Sequence, residues 1–346
     1  MSQLANSAAV LDRLSNVSTV RGAPALGERL ANLDRWVRAD LAGFEADLAA
    51  IPRGERIVHA AAHHLLDLGG KHLRPLCVAL TSRFGEGFTP AARGLAVAVE
   101  LVHSATLLHD DVVDLAERRR GQPSAPVVYG NAASIFAGDW LLVAALRRIA
   151  ATGVDGLLDK MLVVIDEMIV AESVQLERRG KIAGAREDYF AIVEGKTAAL
   201  FRWAMVAGAR VAGLPSAAET ALERYGLHLG VAFQAVDDEL DYREGTGKDA
   251  LADLREGKIT FPLVIALERD ATLRPRLETL LAADAPAAGE LAAIAAVVRA
   301  TGALTATRSL AEEHVQRALG VLEELPVGPA RDALVTVALA SLERTS

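Results

Sequence analysis

Several kinds of residue are scarce in this sequence, and each shortage excludes something. There is one cysteine, Cys77, which rules out an intramolecular disulfide and a cysteine-rich zinc site and fits a reducing cytosol. Aromatic residues are only 4% of the chain, so its apolar content is aliphatic. No uninterrupted apolar run approaches the ~18 residues a membrane span needs. The run from Trp140 stops at Arg147, and the run from Leu291 stops at Arg299. The opening MSQLANSAAVLDRLS has no positive start and no long apolar core, so no signal peptide is expected. Basic residues are not in excess either. Lys+Arg number 37 against 45 Asp+Glu, a net charge of −8, which argues against nucleic acid as a partner.

What remains is a globular composition. Of 346 residues, 51% are hydrophobic and 24% charged, and the mean hydropathy is +0.24. Ala and Leu are strong helix formers. No proline falls between Pro126 and Pro215. Apolar residues recur at three and four spacings, as in LLDKMLVVIDEMIV at 157–170, while period-two alternation is nearly absent. The pattern predicts an all-α fold: one large helical bundle of roughly ten helices over 29–346, with central helices able to wall a cavity. Residues 1–28 are expected to form a poorly ordered extension.

Two acidic clusters interrupt the apolar helices. One is His103-Ser-Ala-Thr-Leu-Leu-His-Asp110-Asp111-Val-Val-Asp114, followed by Arg119-Arg120-Gly121; the other is Phe233-Gln234-Ala-Val-Asp237-Asp238-Glu-Leu-Asp241. On a helix the first and last Asp of each motif are i and i+4, on one face. Crowded carboxylates repel one another unless a cation neutralises them. Hard oxygen donors suit Mg²⁺ or Ca²⁺, and Mg²⁺ typically takes one or two carboxylates plus waters and substrate phosphates. One such motif could be a solvated helix end; two within apolar helices favour a metal role. Calcium-loop spacing is missing.

Cations accompany both clusters. Lys71 and Arg74 lie in Gly69-Gly-Lys-His-Leu-Arg-Pro75; Arg119 and Arg120 follow the first cluster; Lys196 and Thr197 lie in Glu194-Gly-Lys-Thr-Ala-Ala-Leu-Phe201; Lys248 and Lys258 follow the second. Arg gives bidentate phosphate contacts and Lys a point charge. His103, seven residues before Asp110, shares nearly its helix face. Taken singly, Arg119 and Arg120 read as a surface charge run, Lys196 as a snorkelling side chain and His103 as a core histidine. Together they fit a diphosphate ligand bridged by Mg²⁺.

These motifs, in this order together with GDWLL at 138–142 and DLREGKITFP at 253–262, resemble the trans-isoprenyl diphosphate synthase (polyprenyl synthetase) family. The resemblance implies an isoprenoid-synthase fold, a homodimer, and Asp motifs facing across a cavity. It implies a Mg²⁺-dependent prenyltransferase that condenses isopentenyl diphosphate head-to-tail onto an allylic diphosphate, farnesyl or geranylgeranyl. By position, Asp110, Asp111, Asp114, Asp237 and Asp241 would hold the metal, with Asp238 in the same catalytic cluster. Arg119, Lys196, Gln234, Lys248 and Lys258 would bind diphosphate, with Thr197 beside the reacting centre; Lys71, Arg74, His103 and Arg120 would bind isopentenyl diphosphate. The pattern departs from many relatives at His72, where they carry Arg. Short-chain relatives block the product tunnel with a bulky aromatic before the first Asp motif, where this chain has Ala105 and Thr106. That implies a long-chain product of six or more isoprene units, unless another residue such as Trp140 closes the tunnel. The alternatives are a shorter-chain (geranylgeranyl or farnesyl) synthase, a terpene cyclase, disfavoured by the intact second Asp motif and few aromatics, and a non-catalytic subunit, disfavoured by both motifs.

Overall fold

The structure is a computed structural model describing residues 24–182, 185–243, 251–282 and 288–344. It is all-α apart from a two-residue strand pair, Arg118–Arg119 with Gln122–Pro123. Helix α1 (Pro24–Ala49) begins ahead of Leu30, and Gly27 is already buried, so the expected extension over 1–28 is corrected at its end. Proline suits a first helical turn, where its missing N–H costs nothing. Then come α2 (Ile57–Leu66), α3 (Leu73–Ser82), α4 (Pro90–Val113), α5 (Ala125–Tyr129), α6 (Asn131–Ala151) and α7 (Leu157–Arg178). Helix α8 (Ala185–Ile192) runs into a π-helical turn, Val193–Ala198, before α9 (Ala199–Val211). The remainder is α10 (Ser216–Asp241), α11 (Ala252–Arg255), α12 (Phe261–Arg269), α13 (Leu273–Leu281), α14 (Ala288–Ala300), α15 (Ala303–Val321) and α16 (Pro329–Leu342). These exceed the roughly ten helices expected because positive-φ glycines such as Gly130 and Gly302 divide continuous apolar stretches.

The described residues fall into two compact units: those of 24–162 with 203–223 and 324–336, and those of 163–202 with 224–323 and 337–344. Each is assembled from separated pieces of chain, which is why no composition break announces them. In the first unit α4 is central, packing on α6, α3, α1 and α2. Thr89 caps it by accepting a hydrogen bond from the Ala92 N–H, with Pro90 in the first turn. One helix face cannot explain its burial: Leu95 to Val99, Leu101 and Val102 are all inaccessible, as expected of a helix enclosed on several sides. By length and composition α4 could cross a membrane, as could α14 and α15 taken as one bent span; 67% of the α4 window is buried inside the protein. The sequence hides this because Glu100 and His103 break the run. Cys77, on α3, is also fully buried, which pushes its thiol up to about 12.

In the second unit, Leu263 and Ile265 of α12 and Leu273 and Leu277 of α13 join Ile294 and Val298 of α14 in one apolar core with Tyr189 and Tyr242. This core backs the end of α10 that carries the second Asp motif.

Candidate active site

Both Asp motifs lie where carboxylates are electrostatically least welcome. Asp110 and Asp111 end α4, Asp114 is its C-cap, and Asp237 to Asp241 end α10. The C-terminal end of a helix carries partial negative charge and favours cations. Each motif therefore concentrates negative charge that something positive must offset.

In the first unit part of that offset is Arg119, whose Nε donates to Asp111 Oδ1 at 2.8 Å. Asp111 is 1% exposed. Burial pushes its carboxyl up, and Arg119 opposes the rise. Arg119 is delivered by the strand pair, whose two-residue loop is Arg120-Gly121. Both loop residues have positive φ, 52° and 79°, the signature of a type I′ hairpin turn. Glycine suits the second position. Arg120 accepts the left-handed conformation there, and its guanidinium reaches a second cluster. A Cβ built on Gly70 would lie 3.2 Å from Arg120 Nη2, 3.3 Å from His72 Cε1 and 3.4 Å from Glu100 Oε1, so the bare glycine gives these three groups room to meet.

Glu100 lies at the centre of that cluster. It is 4% exposed, and His72 Nδ1 stands 3.1 Å from its Oε1. Burial alone would raise its carboxyl, but His72, with His103 and Arg120, holds it down to about 2. His103 is driven well below the usual imidazole range by burial and by Arg74, so at neutral pH it is an uncharged hydrogen-bonding group. Arg74 sits in the first turn of α3, behind the left-handed N-cap His72. The structure thus brings Arg74, His103 and Arg120 together. Glu100 belongs to no motif, and its one signal in the sequence is a glutamate inside the apolar run AVAVELVH.

In the second unit the π turn carries Lys196 and Thr197. Lys196 pairs with Glu172. Thr197 Oγ1 donates to Gln234 Oε1 at 2.9 Å, and Gln234 Nε2 donates to Asp238 Oδ1 at 2.8 Å. Asp238 is 1% exposed; burial raises its carboxyl to about 7 against the pull of the Gln234 and Tyr189 hydrogen bonds. Asp241 Oδ1 accepts from the Ala252 N–H at 3.1 Å, and so anchors α11. Lys258 pairs with Glu256 at 2.6 Å. Buried Asp253, raised by its burial and by Asp241 and Asp238, feels Lys258 in the opposite direction. Lys196, Thr197, Gln234, Asp238, Tyr189 and Lys258 line one cavity of about 180 Å³. Asp237 is paired instead with Arg344. Lys248 lies outside the described residues.

Sharing a helix face does not bring each motif's carboxylates to one point. Among the described residues no three acidic, histidine or cysteine side chains form a metal-holding group, because Asp111 turns to Arg119 and Asp237 to Arg344. A divalent cation still fits the donor chemistry. Asp111 Oδ2 is buried without a hydrogen-bond partner, and such an orphaned hard oxygen is costly unless a ligand meets it. Substrate oxygens and water would complete the coordination.

A family model for polyprenyl synthetase matches residues 55–298. The chain belongs to the polyprenyl synthetase family. This prenyltransferase is 32% identical to the octaprenyl diphosphate synthase of Escherichia coli over 91% of its own length and 99% of the relative. It is 34% identical to a short chain isoprenyl diphosphate synthase of Methanothermobacter thermautotrophicus, over 82% and 89%. Among solved structures, a Caulobacter crescentus polyprenyl synthase complexed with calcium and isoprenyl diphosphate superposes with a TM-score of 0.85 at 35% identity, covering 91% of this chain and 97% of that one.

The Glu100 cluster gives the prenyltransferase a pH signature. A carboxyl depressed from 4.5 to about 2 stabilises the native state fully above pH ~4.5, and that stabilisation drains away as pH falls through about 2. It amounts to about 3 kcal/mol. Glu100→Gln should therefore flatten the acid limb of the stability profile, measured by urea unfolding between pH 5 and pH 3; an acid limb as steep as wild type would contradict the assignment.

Proposed function

We propose that the chain is a Mg²⁺-dependent trans-polyprenyl diphosphate synthase that condenses isopentenyl diphosphate onto an allylic diphosphate and makes a long-chain product of six or more isoprene units. The observation that carries the reading is the pairing of two C-terminal-end Asp motifs with separate cation clusters. Arg74, His103 and Arg120 gather around Glu100, and Lys196 and Lys258 line the cavity beside Asp238.

Breaking an allylic C–O bond leaves a carbocation and a departing diphosphate. Mg²⁺, when bound, would neutralise charge on that diphosphate as it leaves. The carboxylates of Asp110, Asp111, Asp114, Asp237 and Asp241 are the residues to hold it. Lys196 and Lys258 add fixed positive charge where negative charge develops, which lowers the barrier most in a partly dry site. The Thr197–Gln234–Asp238 hydrogen-bond chain fixes Thr197 and Gln234 in the cavity wall, Thr197 to stand beside the reacting centre and Gln234 to meet the diphosphate. Lys71, Arg74, Arg120 and neutral His103 hold the second diphosphate, so that the homoallylic double bond meets the cation in a fixed orientation. The homoallylic double bond is itself the nucleophile and the proton lost from the new chain passes to the released diphosphate, so neither a protein nucleophile nor a protein base is required.

Product length rests on α4. Thr106 is part-buried one turn before Asp110, and its hydroxyl donates to the His103 carbonyl at 2.8 Å. Ala105 is 1% exposed, so a bulky residue there adds an overpacking cost of roughly 1–3 kcal/mol, and Thr106 is the cleaner position. Trp140, a candidate plug, stands edge-on to His59 at 4.9 Å.

Two helices support a homodimer. On α6, Phe136 is 59% exposed, with Ile135 and Val143 also open; on α7, Leu162 and Val163, then Ile169 and Val170, then Leu176 recur at heptad spacing and are exposed. Apolar stripes of this kind are what a second copy covers.

Three outcomes test the reading. Asp110→Ala or Asp237→Ala should abolish incorporation of radiolabelled isopentenyl diphosphate into farnesyl diphosphate while circular dichroism stays native; retained turnover in both would sink the site assignment. Thr106→Phe, and Ala105→Tyr at some cost in stability, should shorten the product by reversed-phase chromatography, whereas an unchanged length in both would remove the tunnel wall from α4. Ile169→Glu with Phe136→Glu should convert a dimer to a monomer in light scattering; a monomeric wild type would refute the dimer.

A further inference from the structure

We infer that Arg344 is the resting counter-cation of the second Asp motif, a positioning residue whose grip on Asp237 sets how tightly that motif takes its divalent metal. The inference rests on the assignment of Asp237 to the metal made above, and it concerns a residue that no motif in the sequence points to.

Arg344 follows α16 and is 4% exposed. Its Nη2 donates to Asp237 Oδ1 at 2.5 Å, and its Nη1 donates to the Phe233 carbonyl at 3.3 Å. The guanidinium carbon stands 3.5 Å over the Phe233 ring, a cation–π arrangement. All three contacts fall on one turn of α10, Phe233 to Asp237. A second arginine fixes the approach. Arg308, on α15, donates to the Leu342 carbonyl, lies 3.4 Å from Glu343 and 3.9 Å from Glu239 on α10. The segment leading to Arg344 is therefore tied down on both sides, and the buried guanidinium is held by more than the ion pair.

The consequence follows from charge. Removing a buried arginine from water is costly unless an anion meets it, and the anion it meets is a carboxylate expected to hold metal. A guanidinium hydrogen-bonded to Oδ1 cancels most of the negative potential that would draw a divalent cation to Asp237. Metal and Arg344 therefore compete for one carboxylate. Metal arriving with a diphosphate has the advantage, because the diphosphate oxygens offer the displaced guanidinium a new anionic partner. The sign is opposite to that of a residue that merely shapes the metal site. Losing such a shaping residue weakens metal binding; losing a competitor strengthens it.

The test is isothermal titration calorimetry of the full chain with MgCl₂ in the presence of inorganic pyrophosphate, repeated as the Mg²⁺ dependence of initial rate. Arg344→Gln keeps a hydrogen-bonding group and removes the charge, and its half-saturating Mg²⁺ should fall roughly threefold or more. Arg344→Lys should stay near wild type. Phe233→Leu removes only the ring under the guanidinium, and should shift the midpoint in the same direction by less; it carries the test if Arg344→Gln fails to fold. A midpoint unchanged or raised in Arg344→Gln and Phe233→Leu, with wild type binding normally, overturns the competition and leaves the function intact. A wild type that takes up no Mg²⁺ with pyrophosphate overturns the metal assignment itself and this inference with it.

Discussion

Negative charge at the C-terminal ends of α4 and α10 is the constraint on which the site depends. A helix end already rich in unsatisfied carbonyls is a poor place for carboxylates, and here each end carries an Asp-Asp-x-x-Asp motif partly sunk in an apolar core. Asp111 and Asp238 are each 1% exposed, so water cannot relieve them. Partial relief comes from within the chain, through Arg119 and Arg344. It is incomplete, since Asp111 Oδ2 has no hydrogen-bond partner. On the proposed function, that incomplete relief is what a metal ion would answer.

The cations come on irregular backbone. Among the described residues four non-glycines have positive φ: His72, Leu115, Arg120 and Leu251. His72 precedes Arg74, Leu115 follows the first Asp motif, Arg120 is itself a cation, and Leu251 opens the segment leading to Lys258. Lys196 and Thr197 sit in a π turn. Left-handed residues and π turns cost local energy and persist where the surrounding structure holds them, commonly at functional sites. Regular helices can place carboxylates four apart on one face. Bringing arginine and lysine heads to those faces needs turns that a regular helix does not supply.

The division between regular and irregular backbone also decides what could be read from the sequence. Helices and Asp motifs follow from local periodicity, and the resemblance placed the cations beside them. The Gly-Gly pair before Lys71 and the glycine after Arg120 marked turns. Three features had no local signal. Glu100 reads as an interruption of an apolar helix until His72 and Arg120 are seen around it. The π turn has no composition of its own. Arg344 lies over a hundred positions from Asp237, and only tertiary packing joins them. Spacing puts the carboxylates on one face, but only tertiary packing decides that Asp111 turns to Arg119 and Asp237 to Arg344.

A common rule emerges at both clusters. In the first, the cations surround the buried anion Glu100; in the second, the anion Asp237 is held by the buried cation Arg344, while Lys196 is held by Glu172. Glu100, Asp237 and Lys196 each already have an internal partner, so none of them is left as a lone buried charge. A ligand must therefore outcompete a partner already in place. On the proposed function, a free cation would gain Asp237 only by displacing Arg344, and a free diphosphate would gain Lys196 only by displacing Glu172. A metal and diphosphate arriving together satisfy both members of each broken pair. On that reading, internal counter-charges of this kind favour the metal–diphosphate complex over either component, without any contact to the hydrocarbon chain.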